Sequence, residues 1–208
     1  MLARLVCLVV GYFCGCVLLA DIVARKVSGK SAFELGDGNP GMANVGHELG
    51  RPAAILSLLG DILKTLLPVL LTTRIFGSLG WPVATAWTGL GATLGHIFPF
   101  WHYFRGGKGV TTIASTIILM NPVWGIITGV VGVGTIIVSG YLCVAAVFAM
   151  MFYTLTAVFT LPFECVIISL IFTAMQFATH ASKLQGISRG TTRQAGISLK
   201  VRKMLKRR

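Results

Sequence analysis

Residues 110–138 run for 29 positions without a charged side chain. About 20 mostly apolar residues are enough to cross the hydrocarbon core of a bilayer as a helix. A run this long exceeds one ordinary span, and Asn121-Pro122 interrupts it at a point where proline lacks the backbone donor that a continuing helix uses. Apolar stretches also cover residues 2–20, 52–73, 79–97, 141–160 and 162–179, the last two divided by Leu161-Pro162. Hydrophobic residues fill 55% of the 208 positions and charged residues 12%, against about 25% charged in soluble domains. So much apolar surface cannot be buried by a chain of this size in water, so lipid is its solvent. The expectation is an all-α polytopic integral membrane protein with about seven transmembrane helices.

Charge sets the orientation. Of 18 Lys and Arg, 15 fall between residues 21 and 51, between 98 and 109, or beyond 180. Placing all of them inside satisfies the positive-inside rule. With the N-terminus outside, that requires an odd number of crossings and puts the C-terminus in the cytoplasm. The half-span 110–120 is short and needs tilt or shielding by neighbours. Residues 1–182 are read as one membrane domain and 183–208 as a basic cytoplasmic tail. The tail, with Lys200, Arg202, Lys203, Lys206, Arg207 and Arg208, reads as an anchor on anionic lipids. Nucleic-acid binding would need a folded domain that the chain lacks.

Cys7, Cys14, Cys16, Cys143 and Cys165 lie in apolar runs with no CxxC pair, and they read as small hydrophobes. No metal or cofactor is expected. Gly11/Gly15, Gly91/Gly95 and Gly125/Gly129 are GxxxG pairs, a spacing that lets helix backbones approach closely.

Two inside loops differ from ordinary connectors. The first holds Gly36, Asp37, Gly38, Asn39, Pro40, Gly41 and Asn44. Its GxGxxG match follows no strand, so a dinucleotide fold is not implied. The loop is either a solvated turn or a cradle in which backbone N–H groups, Asn39 and Asn44 hold an oxyanion. The second runs from His96 through an aromatic cluster, residues 98–104, into Gly106-Gly107-Lys108-Gly109 and the start of an apolar helix. A phosphate there would meet N–H groups, a lysine cation and the positive end of a helix dipole. The alternative is a basic interfacial loop, with the aromatics as a membrane belt. Asp61 and Lys64, three apart in an apolar run, share a helix face and must pair or line a polar cavity. His180, at the inner end of the last apolar run, is a candidate proton carrier.

Gly95-His96-x-Phe98-Pro99 followed by Phe104-x-Gly106-Gly107-Lys108-Gly109-Val110-x-Thr112 resembles the second signature of the PlsY family, the acyl-phosphate:glycerol-3-phosphate acyltransferases. Gly38-Asn39-Pro40-Gly41 with Asn44 resembles its first signature, and Asp61 with Lys64 its Asp-x-x-Lys pair. The resemblance implies transfer of a fatty acyl group from acyl phosphate to glycerol 3-phosphate in a bacterial plasma membrane, with the active face cytoplasmic. It further implies that phosphate is bound by Gly38, Asn39, Gly41, Asn44, Lys64, His96, Gly106, Gly107 and Gly109, and that Lys108 stabilises charge. Asp37 or His180 would serve as general base, with proton transfer assisted by substrate phosphate as the alternative. The chain departs from the family where Asp37 replaces serine and His47 replaces arginine. In the third signature His180 and Gly190 match, but Lys183, Gly186 and Thr192 stand for asparagine, arginine and glutamate. A relative that binds phosphate-bearing lipid or acyl phosphate without turnover is the competing reading. A transporter would need matching broken helices in two halves, which are not seen.

Overall fold

The structure, a computed structural model, describes residues 1–205. Every regular element among them is helical. They form two compact units, the first Met1–Met120 and the second beginning at Asn121.

In the first unit, α1 (Leu2–Gly15) is followed by α2 (Leu19–Ser28), α3 (Met42–Leu49), α4 (Arg51–Ile75), α5 (Trp81–Ile97) and α6 (Val110–Met120). Glycines at positive φ close or open these helices: Gly29 ends α2, Gly50 separates α3 from α4, and Gly80 precedes α5. Pro52 and Pro82 sit in first turns, where no backbone donor is lost. The expected first span, residues 2–20, is broken. The α-helical path stops after Gly15 and resumes at Leu19. Two carbonyls near the break are taken up by distant side chains: Trp101 Nε1 donates to Cys16 O at 2.7 Å and Lys64 Nζ to Val17 O at 3.0 Å. A break inside an apolar helix is tolerated when protein groups satisfy the carbonyls around it.

Along α4 the packing is inverted relative to a soluble protein. On α4, Ser57, Asp61, Lys64, Thr65 and Thr72 are buried, while Ile55, Leu59, Leu63, Leu67 and Leu70 are exposed. Thr72 and Thr88 hydroxyls meet across the α4–α5 interface at 2.7 Å. Two of the three GxxxG pairs join α1 to α5. A Cβ at Gly11 would strike the Thr88 carbonyl, and one at Gly95 the Tyr12 carbonyl. In the third pair Gly129 behaves differently, since nothing lies within 4 Å of a Cβ there. α6 is 11 residues long, about 16 Å at 1.5 Å per residue, which is half a hydrocarbon core. Its Thr112, Ile113, Thr116, Ile117 and Met120 face inward, so one side of this short helix is shielded by protein.

The second unit contains α7 (Pro122–Ser139), α8 (Leu142–Thr160), α9 (Phe163–Ser188) and α10 (Gly196–Leu205). The Asn121 side chain accepts the Trp124 N–H, capping α7 with Pro122 in its first turn. The expected interruption of the long apolar run is therefore a helix stop and restart. The stretch 183–208 begins as the last turns of α9. It turns back at Gly190, and α10 docks on the end of α7 through the Ala195 N–H to Gly140 O, 2.8 Å, and Ser198 Oγ to Ile137 O, 3.3 Å. Lys206, Arg207 and Arg208 lie outside the described residues. α4, α7, α8 and α9 are each long and apolar enough to cross a bilayer, as are residues 2–28 taken together.

Candidate active site

The first loop is held from below by Asp21, a residue that the sequence reading passed over. Its carboxylate is buried and accepts from Arg25 Nε at 2.8 Å, Ser31 Oγ at 2.5 Å and the Ala32 N–H at 2.8 Å. Ser31 and Glu34 form a reciprocal capping box on the short turn Ala32–Glu34, a Ser-x-x-Glu pattern that was legible. Asn44 organises the rest of the loop. Its amide nitrogen donates to Leu35 O at 2.8 Å and Asn39 O at 3.0 Å, and its oxygen accepts the Asp37 N–H at 3.1 Å. The Gly38 and Gly41 N–H groups bond to Leu35 O and Asn39 O. Asn44, Gly38 and Gly41 thus spend these donors on the loop itself. The first N–H groups of α3, which begins at Met42, have no carbonyl four residues back inside the helix. Asp37 is exposed, and its Oδ1 accepts the Asn39 N–H at 3.3 Å. His47 Nδ1 lies 2.6 Å from Glu48 Oε1.

Asp21→Ala leaves the Ser31 hydroxyl and the Ala32 N–H without their acceptor, at a cost of roughly 1–3 kcal/mol for each buried group. The expected result is a lower melting temperature in detergent and new proteolytic cleavage between residues 31 and 44. An unchanged cleavage pattern would show that the loop does not depend on this carboxylate.

The second loop leaves α5 at Phe98, whose carbonyl accepts Tyr12 Oη at 2.9 Å. Tyr103 and Phe104 adopt left-handed backbone angles, φ 50° and 56°, and expose their rings. Each glycine of Gly106-Gly107-Lys108-Gly109 has its own steric reason. A Cβ at Gly106 would meet the His96 carbonyl, a Cβ at Gly107 would meet the His96 ring, and Gly109 has φ +74°. The Gly107 N–H donates to His96 O at 3.0 Å, so this amide also closes the loop. Lys108 is half-buried directly before α6. The two loops touch: the Phe33 ring stacks on His102 with centroids 3.7 Å apart and planes 14° from parallel.

Beneath the second loop, Asp61, Lys64 and His96 are 2%, 7% and 3% exposed. Lys64 Nζ lies 2.9 Å from Asp61 Oδ1, 2.7 Å from His96 Nδ1 and 3.0 Å from Val17 O. The structure therefore brings Lys64, His96, Gly106, Gly107 and Gly109 together, and joins them through Phe33–His102 to the loop that carries Asp37, Gly38, Asn39, Gly41 and Asn44. Lys64 directs its ammonium at protein acceptors. Sequence reading found the Asp61–Lys64 pair, but neither Val17 nor the Phe33–His102 stack left a sequence signal.

His180 belongs to the second unit. It is buried, with Nδ1 3.0 Å from Gln176 O. The three departures from the third signature meet one another there. Thr192 Oγ1 donates to Lys183 O at 2.5 Å, the Thr191 and Thr192 N–H groups donate to Gly186 O, and a Cβ at Gly186 would press on Thr192 Oγ1. They form one cap at the end of α9, and a side chain at 186 would require the Thr191 and Thr192 hydroxyls to shift.

An all-helical membrane protein with two stacked glycine-rich loops over a buried ion pair is the class these features define. A model of the glycerol-3-phosphate acyltransferase family matches residues 5–190, and the chain belongs to that family. It is 32% identical over 200 residues to glycerol-3-phosphate acyltransferase 1 of Lactobacillus johnsonii, covering 96% of both chains. Among solved structures it is similar to PlsY (YgiH), an integral membrane glycerol 3-phosphate acyltransferase, in its glycerol 3-phosphate form. The TM-score is 0.84 at 27% identity, covering 95% of this chain and 98% of that one. For the lysophosphatidic acid form the TM-score is 0.82 at 25% identity, covering 94% and 96%.

Proposed function

We propose that the protein transfers a fatty acyl group from acyl phosphate to the 1-hydroxyl of glycerol 3-phosphate, giving lysophosphatidic acid and phosphate. The observation that carries this reading is the Phe33–His102 stack, which joins the loops matching two family signatures. It is supported by relatives solved with glycerol 3-phosphate and with lysophosphatidic acid. In the reaction the acceptor oxygen attacks the acyl carbonyl, the bond from that carbonyl carbon to the phosphate oxygen breaks, and phosphate leaves. Lys108, the Gly106 and Gly109 backbone and the first turn of α6 hold a phosphate and offset the charge that grows on the leaving group. His96 adds a ring donor. The loop shaped by Asn44, with Gly38, Asn39 and Gly41, receives the second phosphate-bearing substrate at the start of α3. The acceptor proton passes to the departing phosphate or to Asp37.

The same reading has seven crossings in a bacterial plasma membrane, the N-terminus outside and both loops facing the cytoplasm, because the basic residues gather there. Residues 1–182 then form the membrane domain, and the basic segment 183–208 meets anionic headgroups.

The deciding assay gives purified protein glycerol 3-phosphate with acyl phosphate, acyl-CoA or acyl carrier protein in parallel. Release of phosphate with lysophosphatidic acid, from acyl phosphate alone, is expected. Silence under conditions where a family member turns over would overturn the reading. The rebuilt cap of Lys183, Gly186 and Thr192 favours one rival, a relative that binds both substrates without product, and the same assay run beside a binding measurement separates the two.

A further inference from the structure

The Asp61–Lys64 pair does more than neutralise itself in the membrane. Three groups surround the Lys64 nitrogen: a backbone carbonyl freed by the α1–α2 break and an imidazole nitrogen, both at hydrogen-bond distance, and the Asp61 carboxylate, which pairs with it by charge while its Oδ1 has no well-aligned hydrogen bond. An ammonium has three hydrogens for them and no lone pair. At 2.7 Å, His96 Nδ1 therefore accepts from Lys64. Asp61 Oδ1, at 3.5 Å from Nδ1, is too far for a short hydrogen bond to the ring and makes its closer contact with the lysine. A neutral histidine that accepts at Nδ1 carries its proton on Nε2. Nε2 is the ring atom that faces Gly107, the atom a Cβ there would meet first. The His96 carbonyl meanwhile holds the Gly107 N–H. One residue thus shapes the loop through its backbone and faces the loop with its ring.

We propose that Lys64, supported by Asp61 and Val17 O, is a positioning residue that fixes His96 in the Nε2-protonated tautomer, so that the ring presents an N–H donor to a phosphate group held by Gly106-Gly107-Lys108-Gly109. Without the lysine, His96 lowers its energy by protonating Nδ1 toward Asp61 and turning a lone pair toward the anion. The break in the first helix then has a purpose at the site, since it supplies the carbonyl that completes the lysine's shell. The inference rests on the phosphate-binding part of the proposed function and not on turnover.

The test uses full-length protein in detergent with ¹⁵N-labelled histidine. Ring spectra of the wild type are expected to show His96 protonated at Nε2, and those of Lys64→Met at Nδ1. Binding of glycerol 3-phosphate and of inorganic phosphate, measured separately, tells which phosphate the loop holds. The affinity for at least one of them is expected to fall roughly ten- to a hundredfold, the range for a lost hydrogen bond to a charged group. Because Lys64→Met strands a buried carboxylate, Asp61→Asn/Lys64→Met is made beside it; the amide oxygen then left at position 61 still accepts from Nδ1–H, and the same tautomer change and loss of affinity are expected. His96→Gln, whose amide nitrogen stands near the Nε2 position, is expected to keep more affinity than His96→Asn. The proposal is overturned by a wild-type ring protonated at Nδ1. It is equally overturned if the folded double variant binds both ligands within about twofold of the wild type. Wild-type protein that binds phosphate without turning over would sink the acyltransferase reading and leave this one standing.

Discussion

Lys108→Ala is expected to lower kcat/KM for acyl transfer about a hundred- to a thousandfold, the usual effect of removing one preorganised group that stabilises transition-state charge. The reason lies in what surrounds it. The Gly107 amide is spent on His96 O, so the loop has fewer backbone donors than its glycines suggest, and the lysine is its one cation between Arg105 and the start of α6. A half-buried ammonium beside a helix N-terminus acts on the leaving phosphate with less screening than it would have in water. The measurement is phosphate release at varied acyl phosphate and glycerol 3-phosphate, with melting in detergent as control. The role fails if kcat/KM stays within about threefold of wild type in protein that melts normally.

Gly95→Val is the second large effect, and it acts on the scaffold. The added Cβ points at Tyr12 O, with the Cys16 N at 2.8 Å and the Gly15 carbonyl carbon at 3.0 Å. These are backbone atoms of α1 or its immediate end, so no rotamer change relieves the collision. α1 must move off α5, at a cost of about 3 kcal/mol, the upper end for overpacking a closely fitted site. The consequence reaches the site, because Tyr12 and the Cys16 carbonyl hold the second loop through Phe98 and Trp101. Loss of the monodisperse peak on size exclusion and a markedly lower melting temperature are expected. Gly129→Ala, with nothing within 4 Å of the new Cβ, is the control and is expected to change neither. A Gly95→Val protein melting within about 2 °C of the wild type would refute the close-packed α1–α5 contact.

The two glycine pairs have the same spacing as Gly125/Gly129, yet Gly129 meets no neighbour where Gly11 and Gly95 meet backbone. Spacing states that one helix face is smooth; whether another backbone lies against it is a tertiary fact. The helix breaks divide in the same way. The stop at Asn121-Pro122 was readable because proline removes a donor and asparagine caps the next turn. The stop after Gly15 was not, because its neighbouring carbonyls are satisfied by Trp101 and Lys64, 85 and 47 residues further along. Asn39 and Asn44 illustrate the site. Their types suggested ligand donors, and the fold turns the Asn44 amide onto its own loop.

By itself the chain determined its solvent, its helical class and the residue types able to meet phosphate. Apolar length, proline and net charge act locally and need no knowledge of neighbours. Only the tertiary structure decided that Asp21 anchors the first loop, that Phe33 and His102 bind the two loops together, and that Lys64 sits against Val17 O and His96 while pairing in charge with Asp61. Each of these is a pairing of polar or aromatic groups across the fold. In a bilayer, where no water competes for a buried donor, the geometry of such partners settles which groups remain for a substrate.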